Sequence, residues 1–162
     1  MSAASDYLED KLLDHTLRYS SAAYTAPSTV YVALFSDSGS VLSGGSSPLE
    51  SNTKGTDAST KFGYYEINNG NYARQSVTFD AAGTTTTGTI ETNATVSFPV
   101  ATANYDTAGS TGNVVTHLAL MDSLDSSGTN NVLFFGALTT SKTVSSGDQF
   151  TISSGNLSIS LA

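Results

Sequence analysis

From Thr29 to Leu161 the chain is a succession of short strand-forming runs broken by Gly, Asn, Asp and Ser turns, and this spacing constrains the fold more than any other feature. The runs are Thr29 to Phe35, Tyr64 to Ile67, Tyr72 to Phe79, Gly88 to Glu91, Thr95 to Val100, Val115 to Met121, Val132 to Thr139, Gln149 to Ile152 and Leu157 to Leu161. Strands of this length with turn signals at this interval predict an all-β, antiparallel β-sandwich, jelly-roll-like in character. The patterns differ in kind. TVYVALF is apolar at consecutive positions, as a strand covered on both faces must be, whereas Leu157, Ile159 and Leu161 alternate with Ser158 and Ser160, as a half-buried strand does. The Asn-Gly pair in Asn68-Asn69-Gly70-Asn71 predicts a tight hairpin joining Tyr64–Ile67 to Tyr72–Phe79, with Arg74 able to reach a carboxylate such as Glu66.

Before the strands lies one helix. Ser5 caps it, Asp6, Glu9 and Asp10 oppose the positive end of its dipole, and Arg18 sits four residues after Asp14 in the last turn. Leu8, Leu12, His15 and Tyr19 make one stripe at helical spacing, widened by Leu13 and Leu17. A helix this short is marginal alone in water, so the stripe must dock, either on the chain's own sandwich or on a neighbouring subunit. Leu8, Leu12, Leu13, Leu17 and Tyr19 are therefore the candidate partner interface. The domain reading is a helical arm at 1–20 and a sandwich at 21–162, with a long Ser/Gly-rich surface loop at 36–63 that holds almost nothing to bury.

Composition narrows the function. The chain has 162 residues and no cysteine, so it is long enough for one core and has neither disulfides nor thiolate metal sites. Only 12% of residues are charged, while Ser and Thr together approach a third, giving a hydroxyl-rich surface. With a net charge of −8 and six scattered cations, Lys11, Arg18, Lys54, Lys61, Arg74 and Lys142, a nucleic-acid partner is not expected. The N-terminus has no basic and apolar signal pattern, and no stretch approaches the ~20 apolar residues of a membrane span. A soluble protein made in the cytosol and free of the membrane is the expectation.

Residues arranged for chemistry are few. Neither His15 nor His117 has a second histidine near it in sequence, and Asp122-Ser-Leu-Asp125-Ser-Ser-Gly128 lacks the alternating oxygens and distal glutamate of a calcium loop, so it reads as a turn. There is no nucleophile elbow, zinc helix or phosphate loop. A carboxylate pair could meet in space, but the absence of tryptophan gives no sign of an aromatic sugar groove. The expectation is a protein that is not an enzyme and uses no cofactor.

Six segments in order carry a resemblance to a family of small tailed-phage virion structural proteins, often labelled head decoration or tail fibre protein. They are SDYLEDKLLDHTLR at 5–18, YTAPSTVYVALF at 24–35, GNYARQSVTF at 70–79, VSFPVATANY at 96–105, VVTHLALMD at 114–122 and NVLFFGALTTSKTVSSGDQFTISSGNLSISL at 131–161. The chain departs from the family pattern by a longer insert between Phe35 and Tyr64 and by added residues between Tyr105 and Val114. The resemblance implies a place in the virion and allows two roles, of which the first is the expectation because the sequence holds no long coiled coil or repeated β-helix of the kind extended fibres use. One is a capsid cement or decoration protein, a homo-oligomer and most simply a trimer, bound to the major capsid protein and linking neighbouring capsomers through many small contacts. The alternative is a tail or tail-fibre component that joins virion parts or contacts the host surface, with the long loop and the eight tyrosines as recognition surface.

Overall fold

The computed structural model describes residues 3–18, 24–37, 49, 65–107, 114–124 and 130–160. Its elements are β1 (Ala3–Ala4), α1 (Asp6–Leu17), β2 (Val30–Phe35), β3 (Gln75–Val77), β4 (Thr89–Glu91), β5 (Val96–Ser97), β6 (Val114–Met121), β7 (Val132–Thr143), β8 (Thr151–Ile152) and β9 (Ser158–Ser160). The body is all-β and antiparallel with one short N-terminal helix, in agreement with the strand spacing.

The first layer is a five-stranded sheet in the order β1-β7-β6-β2-β3. β2 lies between β6 and β3, opposite Leu120 through Val32 on one side and opposite Gln75 through the same residue on the other. It has neighbours on both edges and side chains buried on both faces, as its unbroken apolar run requires. On one face Val32 and Leu34 join Leu118, Leu120 and Leu133 in the main core, and on the other Ala33 and Phe35 join Ala119, Met121, Val132 and Phe135 in a second cluster.

The second layer is the continuation of β6 and β7. Residues 89–105 run antiparallel to residues 144–160, from Thr89 opposite Ser160 in β4/β9, through Val96 opposite Ile152 in β5/β8. Between and beyond these strands the ladder is kept by the N–H groups of Thr92, Phe98, Ala101 and Tyr105, which donate to the carbonyls of Leu157, Phe150, Asp148 and Val144. One long two-stranded ribbon, with its tip between Met121 and Val132, therefore folds over on itself. The main core is what the fold encloses: Val96, Phe98, Tyr105, Phe150, Ile152 and Leu157 from the second layer against Leu118, Leu120 and Leu133 from the first.

The Asn-Gly turn is present, but the hairpin expected around it is not. Phe35 bridges Glu66, and Val32 and Val30 pair with Gln75 and Val77, so 65–67 and 75–77 lie end to end along the same edge of β2. They form one edge strand interrupted by an excursion over 68–74. The excursion turns at Gly70 (φ 72°) and Asn71 (φ 68°) and reaches across to the second layer, where Asn68 N–H donates to Asp106 O and Thr102 N–H donates to Gly70 O. Only glycine fits at position 70, because a Cβ there would stand 2.4 Å from the Ala103 carbonyl oxygen.

Three further expectations change. The N-terminal arm includes the edge strand β1, which pairs Ala3 with Phe135. Too few residues stand there for periodicity to reveal a strand. The 36–63 insert does bury a side chain: Leu49 is fully enclosed against the second cluster, and Tyr65 packs on the same cluster. Residues 108–113 of the other insert, and 38–48 and 50–63 of the long loop, lie outside the described residues. β7 also runs four residues past Thr139, because Val114 and Val115 hold Thr143 and Lys142.

Candidate functional site

α1 begins as the sequence indicates, with Ser5 Oγ accepting from Leu8 N–H at 3.3 Å and Arg18 meeting Asp14 at 3.3 Å. Ser5 is itself fixed to β7, its hydroxyl donating to Val132 O and its N–H to Leu133 O. This anchoring splits the predicted stripe. Leu8 is 4% exposed within the chain's own core, and Leu12 packs against that core from its edge. As a partner contact Leu8 is withdrawn, because tying Ser5 to β7 turns its side of the helix inward. Leu13 and Leu17 stand outward, 57% and 80% exposed, and Tyr19 lies outside the described residues.

The ionisable groups with the most elaborate surroundings serve the excursion. Arg74 Nε and Nη2 donate to the two oxygens of Glu66, each at 2.7 Å, and Nη1 donates to Ser123 O at 2.8 Å. Both side chains are buried. Half-buried Tyr72 directs its hydroxyl into the same cluster, donating to Glu66 Oε1 at 3.2 Å and accepting from Leu34 N–H at 3.0 Å. Leu34 N–H lies where the excursion opens the ladder, so the phenol replaces a missing strand partner. Burial, and then the Glu66 charge, push the Tyr72 hydroxyl well above its ordinary pKa of 10. Its ring stacks on Phe98 at 5.9 Å and meets Tyr105 edge-on at 5.8 Å. These contacts clasp the two layers together.

The histidines separate. His15 is exposed on α1, whereas His117 is buried in β6 with Nδ1 2.9 Å from Thr116 Oγ1. Burial lowers the His117 pKa from its usual 6.5, and the neighbouring Asp37 carboxylate opposes that shift. Asp122 acts as a turn clamp, one carboxylate oxygen accepting from Asn131 N–H at 2.7 Å and the other from Asn131 Nδ2 at 2.6 Å. Among the described residues no three His, Asp or Glu side chains stand together as a metal site would need. Nor, among the described residues, is any helix long and apolar enough to cross a membrane.

A trough lies along β7 and the strand that follows it, unannounced by any motif. Opposite Thr116, between the pairs His117–Ala137 and Val115–Lys142, β7 carries the extra residues Leu138 to Ser141 as a wide bulge. Two adjoining hollows of about 340 and 350 Å³ run between this bulge and residues 148–152, and they share Lys142, Phe150 and Thr151. Strand pairing at long range creates the trough, so only the cluster of threonines at 139–143 could have hinted at it.

The comparisons bear on the whole chain rather than on one site. No curated protein matches the sequence. A family model described as podophage GP4 fiber I protein gp80 matches residues 3–160, which takes in β1, the helix, both layers and the trough. The match gives its weight to the fibre alternative rather than to shell decoration. The chain belongs to the gp80 family of podophage fiber I proteins and is a phage virion structural protein.

Proposed function

We propose that this chain is a building block of a podophage tail fibre, acting by binding and assembly without catalysis or a cofactor. The observation that carries the reading is the family match across residues 3–160. The fold suits the role. The clasp of Glu66, Arg74 and Tyr72 and the two apolar clusters make a stiff body without disulfides, and an assembled particle needs parts that hold their shape. Leu13 and Leu17, exposed beside the docked half of α1, supply an apolar contact for a homo-oligomer, most simply a trimer, or for another virion protein.

Antibody-gold labelling of intact particles, combined with copy number from quantitative mass spectrometry, tests this reading. A label at the tail and a small copy number per particle support it. A label spread over the shell, with hundreds of copies, would return the protein to the decoration role. Sedimentation of the purified chain checks the oligomer, and a monomer at every concentration would remove that part of the proposal.

A further inference from the structure

We propose that the trough beside the β7 bulge is a binding site for a neutral saccharide. The inference deepens the fibre reading and rests on it, since it gives the exposed body a ligand class on the host surface. It begins with what the bulge does. Leu138 to Ser141 have one residue opposite them, so the ladder is interrupted and this stretch of β7 turns from sheet into rim. Thr139, Thr140, Lys142 and Thr143 are all exposed there.

The two walls are chemically alike. Thr139, Thr140 and Thr143 on one side face Thr151 and Asn156 on the other, groups that both donate and accept hydrogen bonds. The floor is apolar, made by Leu118, Phe150 and Ile152, and it is rigid because Phe150 meets Phe98 edge-on at 5.7 Å. A sugar ring has the matching surface, with hydroxyls around its rim and carbon-bound hydrogens on its faces.

Charge decides among ligand classes. Among the described residues, Lys142 and Asp148 are the only ionised groups lining the two hollows, one of each sign. One cation does not hold a polyphosphate, and one balanced pair does not select a strongly charged polymer. The combined space, two hollows of about 340 and 350 Å³ side by side, reaches the size at which small-molecule clefts begin and admits more than one ring in a row.

The full-length protein is tested against an array of purified neutral bacterial surface polysaccharides and their oligosaccharides, with heparin as the charged control. Hits are followed by saturation-transfer NMR. Thr151→Arg and Thr140→Arg fill the trough, and Thr86→Arg on the distant exposed turn is the control, each variant checked by its thermal unfolding curve. Binding to neutral glycans, weakened about tenfold or more by a trough variant and unchanged by Thr86→Arg, is the expected result. If Thr151→Arg does not fold, Thr140→Arg on the exposed bulge decides. A silent array, binding untouched by the trough variants, or binding confined to heparin and lost in salt would each overturn the site. Particle labelling separates the two ideas: tail label with a silent array removes the trough alone, and shell label with glycan binding removes the fibre reading alone.

Discussion

Arg74 and Glu66, eight residues apart, meet through two parallel hydrogen bonds of 2.7 Å at the neck of the 68–74 excursion. The pair closes a loop that would otherwise split the edge strand beside β2. Removing one partner leaves a buried charge without compensation, which costs about 3–5 kcal/mol. Arg74→Met and Glu66→Gln are therefore each expected to lower stability by that amount in urea unfolding. The double variant Glu66→Leu/Arg74→Met should lose less than the two single losses combined. Additive losses would mean that the residues act independently.

Tyr72 gives the clasp an alkaline limit. Its folded pKa is raised above 10, so its contribution to stability is present below pH 10 and is lost as pH rises from there toward the folded value. Absorbance at 295 nm should show Tyr72 ionising well above pH 10 in the folded protein. Tyr72→Phe abolishes that feature and leaves Leu34 N–H without its acceptor, a loss of about 1–3 kcal/mol at neutral pH. A variant as stable as the parent would contradict this role.

His117 acts in the opposite direction. Its folded pKa is depressed below 6.5, so the stability it contributes is present above pH 6.5 and is lost as pH falls through that value toward the folded one. Urea midpoints measured from pH 8 to pH 5 should fall more steeply for the parent than for His117→Gln. Coincident profiles would assign the acid sensitivity to other groups.

The two exposed helix leucines and the buried loop leucine should part company in the isolated protein. Leu49 is fully enclosed on the second cluster, so Leu49→Ala is expected to cost about 2–5 kcal/mol. Leu17, 80% exposed, should be within about 0.5 kcal/mol of neutral when replaced by alanine. If the fibre proposal holds, Leu13→Ala/Leu17→Ala should instead weaken assembly, read by sedimentation.

Local signals were legible where the physics is local. The Ser5 cap and the acidic first turn give α1 to within a residue at each end, and the two-sided apolar run of β2 announces its central place. At Gly70 and Asn71 the turn conformation is likewise written in the residues. Their partner is not: a turn signal says that the chain bends, and whether 65–67 pairs with 75–77 or both pair with β2 depends on a strand thirty residues earlier. The trough was hidden for the same reason, since Thr140 and Thr151 become neighbours only through the register of the folded ribbon. The helix stripe was too wide for one surface, and only the tie from Ser5 to β7 decides that Leu8 goes inward while Leu13 stays out.

The ribbon imposes an order on synthesis. Residues 144–160 supply one strand at every step of the second layer, so Val96, Phe98 and Tyr105 leave the ribosome well before their partners exist. At roughly 5–20 residues per second, that interval lasts a few seconds, with aromatic surface uncovered in a crowded cell. Copies interrupted before Phe150 and Ile152 cannot close the core and should be cleared or aggregate, so a copy that closes the core is one in which synthesis has passed these residues.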